Sequence, residues 1–294
     1  MNQKNQYAQL TENNSLFIWE IFAHEKCAQF TEEDKENIYT AYDIATRAHA
    51  EQKRGDGRQY IEHIERTTRR FLEIHSSQYV NAEDIIVAIL HDTIEDHPEY
   101  IREVRTKFPT TSIYTRLLAI SKPSIKIITR VYTDFVEATI RNPNLFFTGY
   151  PGQVTSANYF LSTFSQKTLK DEEIEAQNRL FSHLSSLGIS YKFQTLRDYQ
   201  NYQFLWMIVL LTEIDFEIKV ADRLDNLDDL AGVNLDYIEK NLISTRVYIL
   251  KAEALERKDL IKFLENGIKK LEDRKIELST QAVLPSAPVH RKSA

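Results

Sequence analysis

The segment Leu90-His91-Asp92-Thr93-Ile94-Glu95-Asp96 constrains this chain more than any other. It closes an unbroken apolar run, Ile85-Ile86-Val87-Ala88-Ile89-Leu90, which reads as a buried helix. An imidazole and a carboxylate delivered by such a helix are costly unless something pairs with them. A divalent metal is the usual partner, because neutral imidazole and ionised carboxylate are both good ligands for it. Glu95 follows His91 by four residues and Asp96 follows Asp92 by four, so one continuous helix would set all four side chains on one face. Two would hold the metal, and two carboxylates would remain beside it for proton handling or water positioning.

The rest of the chain reads as helices. Only seven of its 294 residues are glycine and seven are proline, which argues against a loop-rich β protein. Alternating apolar and charged stretches favour an all-α fold, and the length suffices for a sizeable core. Leu16 to Phe22 forms an aromatic cluster expected to pack as a helix on the main domain. Thr31-Glu32-Glu33-Asp34 is an N-cap and first turn for a helix running through Tyr42, Ile44, Ala45 and Ala48 to His49. Gly55-Asp56-Gly57 breaks it, and Tyr60 to Ile64 restarts a helix with Thr67, Phe71 and Leu72 on its apolar side. Asn81-Ala82-Glu83-Asp84 caps the central helix, and His97-Pro98 ends the helical stretch that begins there.

Further helices are expected near 99–107 and 112–121, over a pair from about 197 to 231, and onward to about 279. Residues 124–195 are the least regular, with a turn-like segment from Arg141 to Gly152 and a charged helix at about 170–186. The expected organisation is a single domain over residues 1–280 with an insertion at about 125–195. The tail, residues 281–294, contains Pro and Ser, is basic at its end and is expected to be disordered.

A net charge of −6 argues against a general nucleic-acid binder, so no DNA partner is expected. Residues 47–70 nevertheless hold seven Lys or Arg against four Asp or Glu, an excess that suits a small anionic substrate or else marks a solvated helix face. The single cysteine, Cys27, excludes an internal disulfide and a thiolate metal cluster and fits a reducing compartment. Met1 to Gln6 lacks the apolar core of a signal peptide, and the apolar run Phe204 to Leu211 is too short for a membrane span. The expectation is a soluble, cytoplasmic protein with no membrane partner. No repeat, P-loop or Gly-rich dinucleotide signature is present.

Four candidate metal ligands follow one another along the chain: His63, His91, Asp92 and Asp222. Each has a plainer reading alone, His63 as a polar surface residue and Asp222-Arg223 as a structural salt bridge. Their joint occurrence is what points to a metal, with positions left open for water and substrate oxygens if the ion is six-coordinate.

At these residues the chain resembles the HD-domain hydrolases of the RelA/SpoT type, which remove the 3′-pyrophosphate of the alarmone (p)ppGpp. Ala48 to His63 is similar to the family's A-H-x-G-Q-x-R-x-S-G-E-P-Y-[IL]-x-H at the same spacing, and Leu90 to Asp96 to its L-H-D-x-[IV]-E-D. Leu118-Ala119-Ile120-Ser121-Lys122 is more weakly similar to G-V-T-K, and Lys219 to Leu227 resembles K-L-A-D-R-L-H-N-[ML]. The blocks and their helices cover roughly 35–125 and 197–250.

The resemblance implies that His63, His91, Asp92 and Asp222 hold the metal, typically Mn²⁺ in this family, although His/Asp ligation also accepts Zn²⁺, Fe²⁺, Co²⁺ or Ni²⁺. It implies that Glu95 and Asp96 position or activate water and that Arg54 contacts the base. Asn226 would bond the nucleotide at the ribose, with Lys53 and Arg58 as further substrate contacts. The products would be GDP or GTP and pyrophosphate. Departures from the pattern fall at Gly55, Asp56, Arg58, Gln59 and Asp225, which would line the nucleotide. They keep an adenosine alarmone or NADPH open as substrate, and a non-catalytic nucleotide sensor is a further alternative.

The 129 residues between Asp92 and Asp222 are about twice the family's separation. The aromatic mixture there, including Phe146, Phe147, Tyr150, Tyr159 and Phe160, would form a lid or partner surface, or else an ordinary outer insertion. Nothing after Asn226 resembles the synthetase domain of long family members, so a stand-alone hydrolase is expected. Housekeeping turnover and neutralisation of a toxic alarmone synthetase are both compatible settings. The C-terminal helices, 232–279, leave a homo-oligomeric surface open.

Overall fold

The computed structural model describes residues 15–109, 111–122, 204–205, 208 and 211–283. The expected insertion at about 125–195, with its turn-like segment and charged helix, lies outside them, as does the tail beyond residue 283. The fold is all-α. Among the described residues the one extended pairing is an isolated antiparallel bridge between Lys53 and Gln59. The chain divides into two compact units, Met1–Asp222 and Arg223–Ala294, and the division falls within one helix.

In the first unit, α1 (Ser15–Ala23) buries Phe17, Ile18 and Ile21 and leaves Leu16 and Trp19 exposed. The Phe17 ring lies 5.1 Å from that of Tyr42 on α2 (Glu32–Ala48), so the aromatic cluster does dock on the main body. The capping signature at Thr31 is realised. Its hydroxyl accepts the Asp34 N–H at 3.1 Å, and the Asp34 carboxylate accepts the Thr31 N–H at 2.9 Å.

Helix α3 (Ile61–Ile74) turns His63, Ile64, Thr67, Thr68, Phe71 and Leu72 inward. The Lys26 ammonium donates to the Leu72 and His75 carbonyls at its C-terminal end, both at 2.7 Å. Helix α4 (Ala82–Leu90) is the hub, packing on α2, α3 and α7 (Thr111–Ile120). Every residue from Asp84 to Leu90 is buried, as an apolar run without a polar face requires. A one-turn helix α5 (Thr93–Asp96), a 3₁₀ turn (Pro98–Tyr100) and α6 (Ile101–Lys107) follow.

Helix α8 (Glu213–Asp228) is buried continuously from Asp215 to Asp222 although half of those residues are charged. Each of its buried charges near the start has a partner. Arg116 bridges Asp215 at 2.7 Å and Asp84 at 2.8 Å. Glu217 accepts from His75 Nδ1 at 2.6 Å and from the Ser76 N–H at 3.0 Å, tying the end of α3 to α8.

The second unit contains α9 (Leu235–Ala254) and α10 (Lys258–Val283), separated by a break at which Glu256 takes a φ of 56°. Leu227, Ile238 and Leu271 form its core, with Leu230, Val233, Leu242 and Leu278 packed around them. A Cβ at Gly267 would lie 2.5 Å from Leu227 Cδ1, so a larger residue there would require the end of the Leu227 side chain to shift.

Candidate metal centre

The helix is interrupted at His91 and Asp92. His91 is the C-cap of α4 and Asp92 the N-cap of α5, so residues 91, 92, 95 and 96 do not belong to one continuous helix. Their side chains have different partners. Asp92 faces inward, while Glu95 accepts the Lys122 N–H at 2.7 Å and lies 3.1 Å from the Lys122 ammonium. Asp96 accepts from the Gln52 amide at 3.1 Å.

One potential ligand atom each from His63, His91, Asp92 and Asp222 lies within 4.8 Å of the others, three of the four residues being buried. His63 Nε2 is 3.5 Å from Asp92 Oδ2 and 3.4 Å from Asp222 Oδ1. His91 Nε2 is 3.1 Å from Asp92 Oδ2 and 3.9 Å from Asp222 Oδ1. His63 is presented by the first turn of α3, His91 by the end of α4 and Asp222 by the buried stretch of α8.

The chemistry of this set fits a cation. His91 Nδ1 lies 2.9 Å from the Ala88 carbonyl, an acceptor, and therefore carries the proton. The Nε2 of a neutral His91 then aims a lone pair at two carboxylates, and this buried atom has no hydrogen-bond partner among the described residues. Three electron-rich atoms so placed repel one another unless a positive ion lies among them, and a ring N–H held by a carbonyl is the usual second interaction of a metal-bound imidazole.

Surrounding groups favour ionised carboxylates. Burial pushes both Asp92 and Asp222 up. For Asp92, positive charge at the His91 and His63 positions, together with Lys219, more than offsets it and holds the carboxyl well below its usual range. For Asp222 the chief counterweight is Lys219, whose buried ammonium is 2.5 Å from Oδ2, so this carboxyl is also driven far down. The Tyr60 hydroxyl donates to Asp92 Oδ2 at 2.7 Å. Burial and then Asp92 raise the Tyr60 phenol far above its ordinary value, so it remains an O–H donor.

The candidate nucleotide contacts are arranged differently. The Arg54 guanidinium lies 5.9 Å from the centre of the Tyr60 ring, the same ring that serves Asp92. Arg54 donates its N–H to the Arg58 carbonyl at 2.9 Å, closing the tight loop that carries Gly57 at φ 90°. Arg58 folds back onto Asp56, whose carboxylate also accepts the Arg58 N–H at 3.0 Å. Lys53 is exposed. Asn226 belongs to the second unit, half-buried on α8.

Tyr60, Lys219, Lys122, Gln52 and His49 all lie inside the motif blocks yet drew no role from residue type alone. Their contacts in three dimensions reveal them. Lys122 shows the same pairing in its ammonium: burial lowers it, but Glu95 and Asp92 together leave it raised. Burial pushes the Cys27 thiol up to about 12, away from the thiolate form.

No protein-family model matches the chain. Over 84 residues it is 34% identical to a guanosine-3′,5′-bis(diphosphate) 3′-pyrophosphohydrolase of Aquifex aeolicus (strain VF5). That stretch covers 29% of this chain and 12% of the relative, so the likeness is confined to a small part of the relative's length. Among the described residues no helix is long and apolar enough to cross a membrane.

Proposed function

We propose that this chain is a metal-dependent hydrolase that removes the 3′-pyrophosphate of (p)ppGpp, leaving GDP or GTP and pyrophosphate. The observation that carries the proposal is the convergence of His63, His91, Asp92 and Asp222 with the His91 Nε2 lone pair facing two carboxylates. The motif blocks and the partial likeness to a pyrophosphohydrolase support the substrate class.

In this proposal those four residues hold a divalent ion, with Mn²⁺ the first choice. When bound, such an ion supplies Lewis acidity and lowers the pKa of water. The protein's own groups do the rest. Lys219 holds Asp222 ionised, and the Tyr60 hydroxyl orients Asp92. Glu95 and Asp96 orient the attacking water and take its proton, each steadied by a donor of its own, Lys122 and Gln52. Water oxygen bonds to the phosphorus on the ribose 3′-oxygen as that P–O bond breaks, and the proton taken up by the carboxylates passes to the leaving 3′-oxygen. Arg54 contacts the base, Asn226 the ribose, and Lys53 with Arg58 the phosphates.

A neighbouring substrate class gains support from one observation. Asp56 engages Arg58, which reduces the positive charge that this loop offers to a phosphate. NADPH, with fewer phosphate charges than (p)ppGpp, is the alternative it favours, while an adenosine alarmone carries the same phosphates and is not distinguished by it.

The test is pyrophosphate release from ppGpp by the purified chain, with Mn²⁺, with chelator, and with Asp92→Ala. Metal-dependent release that falls at least about a thousandfold in the variant is expected, in line with loss of a group the transition state requires. No release from ppGpp by metal-loaded protein, with turnover of another nucleotide, would replace the substrate and keep the site.

A further inference from the structure

Tyr60 ends one chain of contacts that Asp96 ends at the other side. The Tyr60 hydroxyl bonds Asp92, and its ring stacks on His49 with centroids 4.7 Å apart and planes 17° from parallel. The same ring meets His63 edge-on at 5.3 Å. His49 Nδ1 is 2.6 Å from Gln52 Oε1, His97 Nε2 is 3.1 Å from that oxygen, and Gln52 Nε2 donates to Asp96.

Elementary donor and acceptor rules place the protons between Gln52 and its three partners, while His97 Nδ1 lies 3.3 Å from a Glu99 carboxylate oxygen. An ionised Asp96 only accepts, so Gln52 must turn its NH₂ toward it and leave its carbonyl for the imidazoles. Both imidazoles then present N–H, at Nδ1 in His49 and at Nε2 in His97. Burial holds His49 neutral, so its Nε2 carries a lone pair; that buried atom has no hydrogen-bond partner. The ring is therefore held by Gln52 at one nitrogen and by Tyr60 across its face.

We infer that Tyr60 is a positioning residue for Asp92, locked in place by the His49–Gln52 relay that also orients Asp96. This rests on the metal-site proposal above. Tyr60 fixes which Asp92 oxygen is turned toward His63 and His91, and Gln52 couples the metal-facing carboxylate to the water-facing one. Rotation of the Gln52 amide would break three contacts at once, which is why a single side chain suffices to set both.

The experiment is calorimetric titration of the full chain with Mn²⁺, comparing wild type, Tyr60→Phe and Gln52→Leu, together with melting curves in chelator. Tyr60→Phe keeps the ring on His49 and removes only the hydroxyl. Its Mn²⁺ affinity is expected to fall about 10–100-fold, the usual effect of removing an outer partner of a metal ligand. Its helical circular dichroism and metal-free melting temperature should stay close to wild type. Gln52→Leu should weaken Mn²⁺ binding in the same direction by a smaller factor, and it carries the test if Tyr60→Phe does not fold.

Binding by Tyr60→Phe within twofold of wild type would overturn the role of Tyr60, and unchanged binding by Gln52→Leu would overturn the relay. Imidazole nitrogen shifts give a readout without metal: His49 protonated at Nε2 instead of Nδ1 also overturns the relay. A wild type that binds Mn²⁺ nowhere removes the metal-site proposal itself, and with it this one.

Discussion

Replacing Lys219 by Met separates a structural salt bridge from one that stands in for a metal. Lys219 and Asp222 are 3% and 8% exposed, and their charged atoms are 2.5 Å apart. Met keeps the apolar stem and a favourable contact with Phe204, whose ring centre is 5.3 Å from the ammonium. It leaves the buried Asp222 carboxylate near Asp92 without its chief counter-charge. Removing one member of a buried pair costs about 3–5 kcal/mol, with protonation of the stranded carboxylate limiting the loss.

A divalent ion among the four donors would supply the missing charge, so the penalty should shrink when metal is bound. Losing the ammonium also removes a like charge beside the ion. Both effects enlarge metal-dependent stabilisation in Lys219→Met. At about 2–4 °C per kcal/mol, a recovery of about 3 kcal/mol widens the Mn²⁺-induced melting shift by at least about 6 °C over that of wild type. Four melting curves decide it: both proteins, each with saturating Mn²⁺ and with chelator. Equal destabilisation in the two conditions would refute the reasoning, since no ion would then be compensating Asp222.

Three further perturbations test the scaffold. Burial pulls the His75 pKa down but Glu217 raises it above 6.5, so the charged pair adds stability below pH 6.5 that disappears as pH rises through the raised value. Chelator-treated Glu217→Gln should thus be less stable than wild type by about 1.5–3 kcal/mol at pH 6, with the gap narrowing toward pH 8 in urea melts. Arg116→Met strands Asp84 and Asp215 together and should cost about 3–5 kcal/mol by urea unfolding, with the slope unchanged. Thr31→Ala removes the cap of α2 and should cost about 1 kcal/mol; a loss below a few tenths would mean the capping box contributes little here.

Local signals were legible from the sequence and long-range ones were not. Thr31, Asn81 and His97-Pro98 mark helix ends because a cap or a proline acts within a few residues, and the structure places ends there. The buried run Ile85 to Leu90 declared itself through the absence of any polar face. The gathering of His63, His91, Asp92 and Asp222 was readable only as motif spacing, because no local rule brings position 222 to position 63. The turn at His91-Asp92 was missed, since both residues keep right-handed helical φ and ψ and only the hydrogen bonding changes. Pairs such as His75–Glu217, 142 positions apart, and Tyr60–Asp92 leave no periodic trace.

The donor residues sit where the scaffold is least able to yield. Two helical stretches, residues 84–90 and 215–222, are buried throughout, and the first leads directly into His91 while the second ends on Asp222. Close packing on all sides prevents these helices from relaxing away from the repulsion between Asp92 and Asp222. The repulsion is instead countered from outside the donor set, by the Lys219 ammonium on one carboxylate and the Tyr60 hydroxyl on the other. Two such partners can keep a set of like-charged ligands assembled before any ion arrives, whereas a softer scaffold would let them part. Preassembly means that binding need not supply the cost of gathering the ligands, so loss of the Tyr60 hydroxyl should appear chiefly in ion affinity and loss of the Lys219 ammonium chiefly in the stability of the ion-free protein.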